Sequence, residues 1–231
     1  MKKFIVVLVA ILGFASSAAA AKDITVTKFA TYISNINGFE AKIVTPMVRG
    51  LADRKIENDM NERFMSEARS LVVEYEKNVT TMIKKMPTNH GHFGLISDFI
   101  IKTDNKDILA FDSYVLNIIG SSSTKHKFYT FNKNSGKLMT LKETVKSNPN
   151  YVSAISKYIK NEMARMNKKE SGLFFIKKGS KSEFNKIKDN QNFYINNKGV
   201  LVICFDKYEV AAGAQGSPEF EIPSKIIKIN P

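Results

Sequence analysis

One cysteine, three histidines and six prolines are a thin supply for 231 residues, and each shortage removes a class of explanation. The lone Cys204 has no partner for an internal disulfide, so no disulfide framework is expected. It lies in an apolar run, where a free thiol behaves as a small hydrophobe rather than as a nucleophile. With His90, His92 and His126 the whole histidine supply, a zinc site would have to use the His90-Gly91-His92 pair and an aspartate, Asp98 or Asp112. Ser121, Ser122 and Ser123 form a run with no G-x-S-x-G elbow and no acid–histidine pair beside it, which speaks against a serine hydrolase there. Asp98, Asp104, Asp107 and Asp112 stand singly, not in the pairs that acid/base work on glycosides needs. Arginine is scarce as well. The 35 basic residues are 30 Lys and 5 Arg beside 20 Asn, a balance typical of AT-rich coding, and a dedicated nucleic-acid reader would favour the arginine fork. Beyond the first twenty residues no stretch is long and apolar enough to span a bilayer, and the chain shows neither an internal repeat nor a low-complexity linker.

What is present begins with the leader. Lys2 and Lys3 precede an apolar run from position 4 to 14, and Ala15-Ser16-Ser17-Ala18-Ala19-Ala20-Ala21 supplies small residues for cleavage. A basic start, a short apolar core and an A-x-A site make residues 1–21 a secretory signal peptide, with cleavage expected after Ala20 or Ala21. The product is therefore exported, periplasmic or secreted. The net charge of +13 falls to +11 once Lys2 and Lys3 leave with the leader. Such a balance suits an anionic polymer or surface.

Downstream, the pattern alternates strand and helix signals. Residues 29–36 and 39–45 read as strands joined by Asn37-Gly38, a strong hairpin signal because both residues tolerate positive φ. Pro46 to Leu51 closes this unit. A long amphipathic helix is predicted over 53–85, with Ile56, Met60, Phe64, Leu71, Val72, Tyr75, Val79, Met82, Ile83 and Met86 on its apolar stripe and Pro87 ending it. Strands are predicted over 93–103, 108–119 and 125–132, with 120–124 as a loop, followed by an Asn134-Ser135-Gly136 turn. A second helix spans 151–168 behind Asn148-Pro149-Asn150. The close of the chain is the richest stretch: Phe193-Tyr194-Ile195, a turn through Asn196 to Gly199, the buried run 200–205, and Glu219-Phe220-Glu221-Ile222 between Pro218 and Pro223, which fits an edge strand. The fold class expected is α+β: an antiparallel sheet with two main helices packed on one face, organised as an N-terminal half, 22–119, and a C-terminal half, 120–231, within one compact unit.

The residues 192–227, NFYINNKGVLVICFDKYEVAAGAQGSPEFEIPSKII, carry a resemblance. A strand of the form FYxxNKGxxxxF, a Lys-Tyr-Glu-Val turn, a small-residue segment ending at Gly216 and a closing PEFxIP resemble an extracellular domain family of unknown function. That family is shared with the lysozyme-sensing RsiV-type anti-sigma factors and occurs beside polysaccharide deacetylase domains. Two further segments agree: Pro46-x-x-x-Gly50-Leu51 before a helix with an early Met60-Asn61, and FNKNSGKLMTLKETV at 131–145. The chain departs from the pattern at 120–124, where relatives have a Gly-Gly-Ala-His-Gly-like loop, so that loop's histidine has no counterpart here.

The resemblance implies a non-enzymatic, exported envelope-binding module, with no cofactor. Only three residues precede the leader's apolar run, so no cytoplasmic anti-sigma segment is expected in this chain. The candidate binding surface lies in 155–190, where ten basic residues face four acidic ones, and consists of Lys157, Lys160, Arg165, Lys168, Lys177 and Lys178. Tyr208 and Glu209, in the family's recurrent turn, complete the set. The expected partner is an anionic cell-envelope polymer or a lysozyme-like protein. Lysozyme is itself basic, so a chain of +11 would meet it against repulsion, which favours the polymer. The rival reading is a metal-dependent hydrolase of wall glycans using His90, His92 and an aspartate.

Overall fold

The structure is a computed structural model that describes residues 23–85, 93–119, 121–145 and 148–229. The leader, His90 and His92 lie outside the described residues. Two compact units make up the chain, and they interleave in sequence. The first takes residues up to Ile100 together with Ser113–Ser123 and Ser135–Lys137; the second takes Ile101–Asp112, Thr124–Asn134 and Leu138 onward.

In the first unit, strands β1 (Thr25–Ile36) and β2 (Phe39–Arg49) form the hairpin that Asn37-Gly38 announces. Ile36 pairs with Phe39, and Asn37 and Gly38 have φ of 53° and 84°, the two positive values that a two-residue turn matching the strand twist requires. Helix α1 (Arg54–Lys85) follows, capped by Asp53, whose Oδ1 accepts from the Lys55 and Ile56 N–H groups. Its Met60, Phe64, Tyr75 and Val79 are buried, as the stripe predicts. Ile56 is not: at 46% exposed it stands off the stripe, in the first turn next to the cap. Tyr75 and Val79 join Phe39, Ala41, Ile43, Phe93 and Leu95 in one core cluster.

Strand β3 (Phe93–Asp104) returns alongside β2 in parallel, with Glu40 opposite Gly94 and Ile43 opposite Ser97. A parallel return requires a long crossover, and α1 supplies it. The α+β class therefore holds, while the sheet is mixed rather than purely antiparallel. Strands β4 (Ile108–Ile119), β5 (Ser121–Asn132) and β6 (Lys137–Leu138) complete a sheet in the order β1-β2-β3-β4-β5-β6. Ser121 to Thr124, expected as a loop, are instead the start of β5. Backbone pairing within the sheet overrides their small polar composition.

In the second unit, Thr140 and Glu143 make a reciprocal capping box for the short helix α2 (Leu141–Thr144). Helix α3 (Tyr151–Lys169) buries Ile155, Ile159 and Met163. These pack with Phe193, Leu201, Ile203, Phe220 and Ile222 on a second sheet. That sheet comprises β7 (Phe193–Ile195), β8 (Leu201–Cys204) and β9 (Glu219–Ile222), antiparallel throughout, with β8 central and β9 at an edge. Each main helix thus covers its own sheet. The other face of the small sheet packs Tyr194, Val202 and Cys204 on Ile108 and Ala110 of β4.

Candidate functional site

The basic stretch predicted from sequence folds as the outer face of α3 and the loop after it. Lys157, Arg165 and Lys168 are exposed, on the side of the helix away from Ile155, Ile159 and Met163. Not all of these charges are available. Lys160 is held by Glu183 at 2.9 Å, and Arg165 by Glu162 at 2.8 Å. Lys157, Lys168, Lys177, Lys178 and Lys186 are exposed and form no ion pair among the described residues. A cavity of about 510 Å³ opens beside the first turns of α3, with Ser153, Lys157, Lys160, Asn185 and Lys186 on its wall. Buried Ser156 fixes the loop there: its hydroxyl donates to the Val152 carbonyl and accepts from the Ile187 N–H. Asn167 does the same further along, pairing its amide with both the N–H and the C=O of Phe174 at 2.9 Å each.

Tyr208 and Glu209 belong to a turn of their own. The Glu209 N–H donates to the Asp206 carbonyl, and Glu209 Oε2 accepts from the Asp206 N–H, so the Asp206–Glu209 turn is closed from both ends. Tyr208 sits third in it at φ 70°, in the left-handed region that few residues with a bulky side chain adopt. Its ring lies where only Gly213 leaves room, since a Cβ at that glycine would stand 2.3 Å from Tyr208 Cε1. Glu209 also takes the Lys188 ammonium at 2.7 Å. These two residues shape a turn, and the turn presents Asp206.

Asp206 leads to a constellation that the sequence reading missed. Its Oδ1 accepts the backbone N–H of His126 at 2.8 Å, while the His126 carbonyl accepts from Asn192. With its backbone held at both ends, His126 in β5 directs Nδ1 at Asp112 Oδ2 in β4, 2.7 Å away, and Nε2 at Ser217 Oγ, 2.8 Å away. Asp112 is 4% exposed, and its Oδ1 is buried with no partner among the described residues. An ionised Asp112 puts the imidazole proton on Nδ1, leaving Nε2 to accept from the Ser217 hydroxyl. Burial by itself lowers the His126 pKa. The Asp112 hydrogen bond and the charges of Asp112, Asp206 and Glu219 outweigh that, and the net position is above the ordinary histidine value.

The groups around it form one network. Glu219 binds Lys102 through Oε1 at 2.7 Å and the Tyr194 hydroxyl through Oε2 at 2.8 Å. His126, Phe128 and Tyr194 stack in a column, and the Lys102 ammonium lies 4.9 Å from the Tyr194 ring centre. Burial first, then Glu219, pushes the Tyr194 hydroxyl far up in pKa. Cys204, buried on the same side, is likewise pushed up by burial, which leaves it a thiol.

No linear signal marks this array. Asp112 and Ser217 lie 14 and 91 positions from His126, and Ser217 has a glycine before it but a proline after it. The aspartates considered as zinc ligands are both engaged: Asp112 by His126, and Asp98 by Lys42 at 2.7 Å and Lys28 at 3.7 Å. Among the described residues no group of three His, Cys, Asp or Glu side chains converges as a metal site, and no helix is long and apolar enough to cross a membrane.

Fold and site define an α+β domain with a lysine-rich helix face and a separate, sheet-borne Asp–His–Ser array. Comparison with known proteins then sharpens the class. Residues 144–225 match the family described as protein of unknown function DUF3298. The chain is 33% identical over 186 residues to the anti-sigma-V factor RsiV of Bacillus subtilis (strain 168), a match that covers 80% of this chain and 63% of that protein. It thus spans less than two thirds of the relative's length. The resemblance carried by residues 192–227 is borne out to this extent: residues 144–225 match the DUF3298 model, and 186 residues are similar to RsiV. Two solved structures share the fold. A DUF3298 family protein of Bacteroides fragilis has a TM-score of 0.61 at 12% identity, covering 89% of this chain and 93% of its own. A Pseudomonas aeruginosa member has a TM-score of 0.57 at 9% identity, covering 91% and 96%.

Proposed function

We propose that this chain is an exported module of the cell envelope, like the outer domain of the RsiV-type sensors, and that it binds an anionic envelope polymer through the outer face of α3. The observation that supports the reading is the set of exposed lysines without an ion pair, Lys157, Lys168, Lys177, Lys178 and Lys186, on and beside one helix face whose opposite side is core. Lys157 and Lys168 stand eleven residues apart in α3, about 16 Å at 1.5 Å per residue. That is beyond the Debye length of roughly 8 Å at physiological salt, so the face suits successive charges of an extended polymer rather than one compact anion. The cavity at Lys157, Lys160 and Lys186 gives the polymer's charged groups a recess as well as a surface. Lys160 and Arg165 serve mainly to set the face, through Glu183 and Glu162.

The test is a salt titration of binding to a teichoic-acid-like polymer, lipopolysaccharide and DNA, with the wild type and a K157E/K168E/K186E variant. Counterion release makes log affinity fall linearly with log salt in proportion to the charges neutralised. A steep slope for the wild type and loss of binding in the variant are expected. Equal binding by the two, or binding indifferent to salt, refutes the reading and moves a lysozyme-like protein into first place as partner.

A further inference from the structure

We propose that Asp112, His126 and Ser217 form an acyl-transfer triad in which Ser217 is the nucleophile toward an ester carbonyl. The inference goes beyond polymer binding and rests on different residues. Its geometry is that of a relay with each member assigned by its surroundings. Ser217 is partly exposed, the His126 side chain is 15% exposed, and Asp112 is buried, so the nucleophile faces solvent and the carboxylate is shielded. Both contacts are within the reach that a nucleophile, its base and the base's orienting carboxylate require. The His126 ring is held by its two hydrogen bonds and by stacking on Phe128, on a backbone bound by Asp206 and Asn192. Ser217 is aimed by its neighbours. Gly216 has φ 64° and ψ −133°, a conformation that a residue with a Cβ rarely adopts, and the Pro218 carbonyl accepts from the Phe205 N–H.

A link that served stability alone would gain little from Asp112 Oδ1 left buried without a partner, since an unmet buried acceptor destabilises. In a triad that oxygen has a consequence. The carboxylate charge is concentrated on its one bond to His126, which strengthens the imidazole as a base and stabilises the imidazolium.

The steps balance without a redox partner. Ser217 Oγ attacks the acyl carbon, its proton passes to His126 Nε2, and the carbonyl electron pair moves onto oxygen. Collapse breaks the bond to the alcohol oxygen, which leaves with the proton from Nε2, and acyl-Ser217 remains. Water then attacks, giving its proton to Nε2; as the acid departs, Ser217 Oγ recovers that proton.

The loop also sets the substrate class. The Gln215 and Gly216 N–H groups are engaged by the Ala212 and Gly213 carbonyls, and Pro218 has no N–H. The Ser217 N–H donates to no group among the described residues and is the backbone donor nearest the nucleophile that can meet a developing oxyanion. Each such donor is worth about 10²–10³ in rate, and an ester, with its better leaving group, asks less of them than an amide. Asp206 and Glu219 lie beside His126, and their charge disfavours a carboxylate next to the scissile bond. The substrate is therefore an ester with a neutral acyl group.

The experiment treats the purified chain with a fluorophosphonate probe and, separately, with p-nitrophenyl acetate. One adduct is expected, on the peptide bearing Ser217. D112N and H126Q should label at least about 10²-fold more slowly, in line with the loss of a general base or its orienting group. Labelling should rise with pH through the His126 titration, above the ordinary histidine range, because only the neutral ring accepts the serine proton. The wild-type result stands by itself even where a variant fails to fold. A folded wild type that the probe leaves unmodified overturns the triad, and so does a flat pH profile or an S217A variant that hydrolyses the ester at the wild-type rate.

Discussion

Replacing Asn61 by Leu should cost this protein a large part of its stability, and the reason is one side chain's geometry. Asn61 Oδ1 accepts the Val48 N–H and its Nδ2 donates to the Val48 carbonyl, both at 2.8 Å, so one amide satisfies both backbone polar groups of a fully buried residue in β2. Leucine has similar bulk and satisfies neither. A buried backbone group left without a partner costs about 1–3 kcal/mol. Two such groups give about 2–6 kcal/mol, and Asn61 is itself only half-buried, so water reaches the gap and the lower part of that range, about 2–4 kcal/mol, is expected. In a urea melt followed by circular dichroism, a slope of about 2 kcal/mol per molar turns this into a midpoint lowered by about 1–2 M. Asn61→Asp provides the control for mechanism. Its carboxylate still accepts from the Val48 N–H but opposes the Val48 carbonyl, so N61D should recover stability as the pH is lowered and the acid gains a proton to donate. A midpoint loss under about 0.3 M in N61L, or a pH-independent deficit in N61D, would refute the argument; the first figure corresponds to less than one hydrogen bond's net worth.

Other consequences can be checked alongside. Gly50→Ala should destabilise by about 2–4 kcal/mol in the same melt: Gly50 has φ 93°, a handedness that costs other residues about 1–2 kcal/mol, and the added Cβ would stand 2.6 Å from the Asp23 carbonyl oxygen, a backbone atom with little freedom to retreat. A near-neutral G50A would refute it. Cys204 should react with a thiol reagent far more slowly in native buffer than in denaturant, because burial keeps it protonated and inaccessible; equal rates would show a reactive thiol. Asp98 opposes two effects, burial raising its pKa and the Lys42 and Phe99 hydrogen bonds with the Lys28 charge lowering it, and the net position is low. A carboxyl depressed in the folded state contributes stability above its unfolded pKa, and that contribution is lost as pH falls through the folded value. D98N should therefore flatten the acid limb of the stability–pH curve, and an unchanged limb would count against the pairing. Finally, the intact mass of the exported protein should correspond to cleavage after Ala20 or Ala21, and retention of residues 1–20 would end the secretory assignment.

Local physics was readable from the chain wherever it was decided locally. The Asn37-Gly38 turn, the α1 stripe with Asp53 before it, the 108–119 strand and the hairpin through Gly199 each carry their cause within a few residues. The Met60-Asn61 and Lys-Tyr-Glu motifs were visible as patterns, but their reasons, an amide clasping Val48 and a turn presenting Asp206, needed the fold. Partner choice was not readable. Nothing in 39–45 or 93–103 says that these strands pair in parallel, because both are apolar enough for either arrangement. Ser121 to Thr124 were misjudged for the same reason: composition suggested a loop, and neighbouring strands decided otherwise. Reading the chain as non-enzymatic weighed each serine, histidine and aspartate by what stood beside it in sequence. The array at His126 is assembled from three distant segments and is invisible to that test.

The interleaving of the two units bears on how such a protein can be inherited. The family match begins at 144, yet the small sheet depends on residues well before it: Thr103 donates to the Ile195 carbonyl, Ile108 and Ala110 cover Tyr194 and Val202, and His126 anchors Ser217. A recombination event that moved codons 144–225 alone would deliver a sheet stripped of one face, with a carbonyl unmet and an apolar surface bare. Three successive strands, β3, β4 and β5, each give residues to both units, so no single crossover point separates them cleanly. Genes that shuffle this module are therefore expected to carry it as one block, starting near the first hairpin rather than at the edge of the family match.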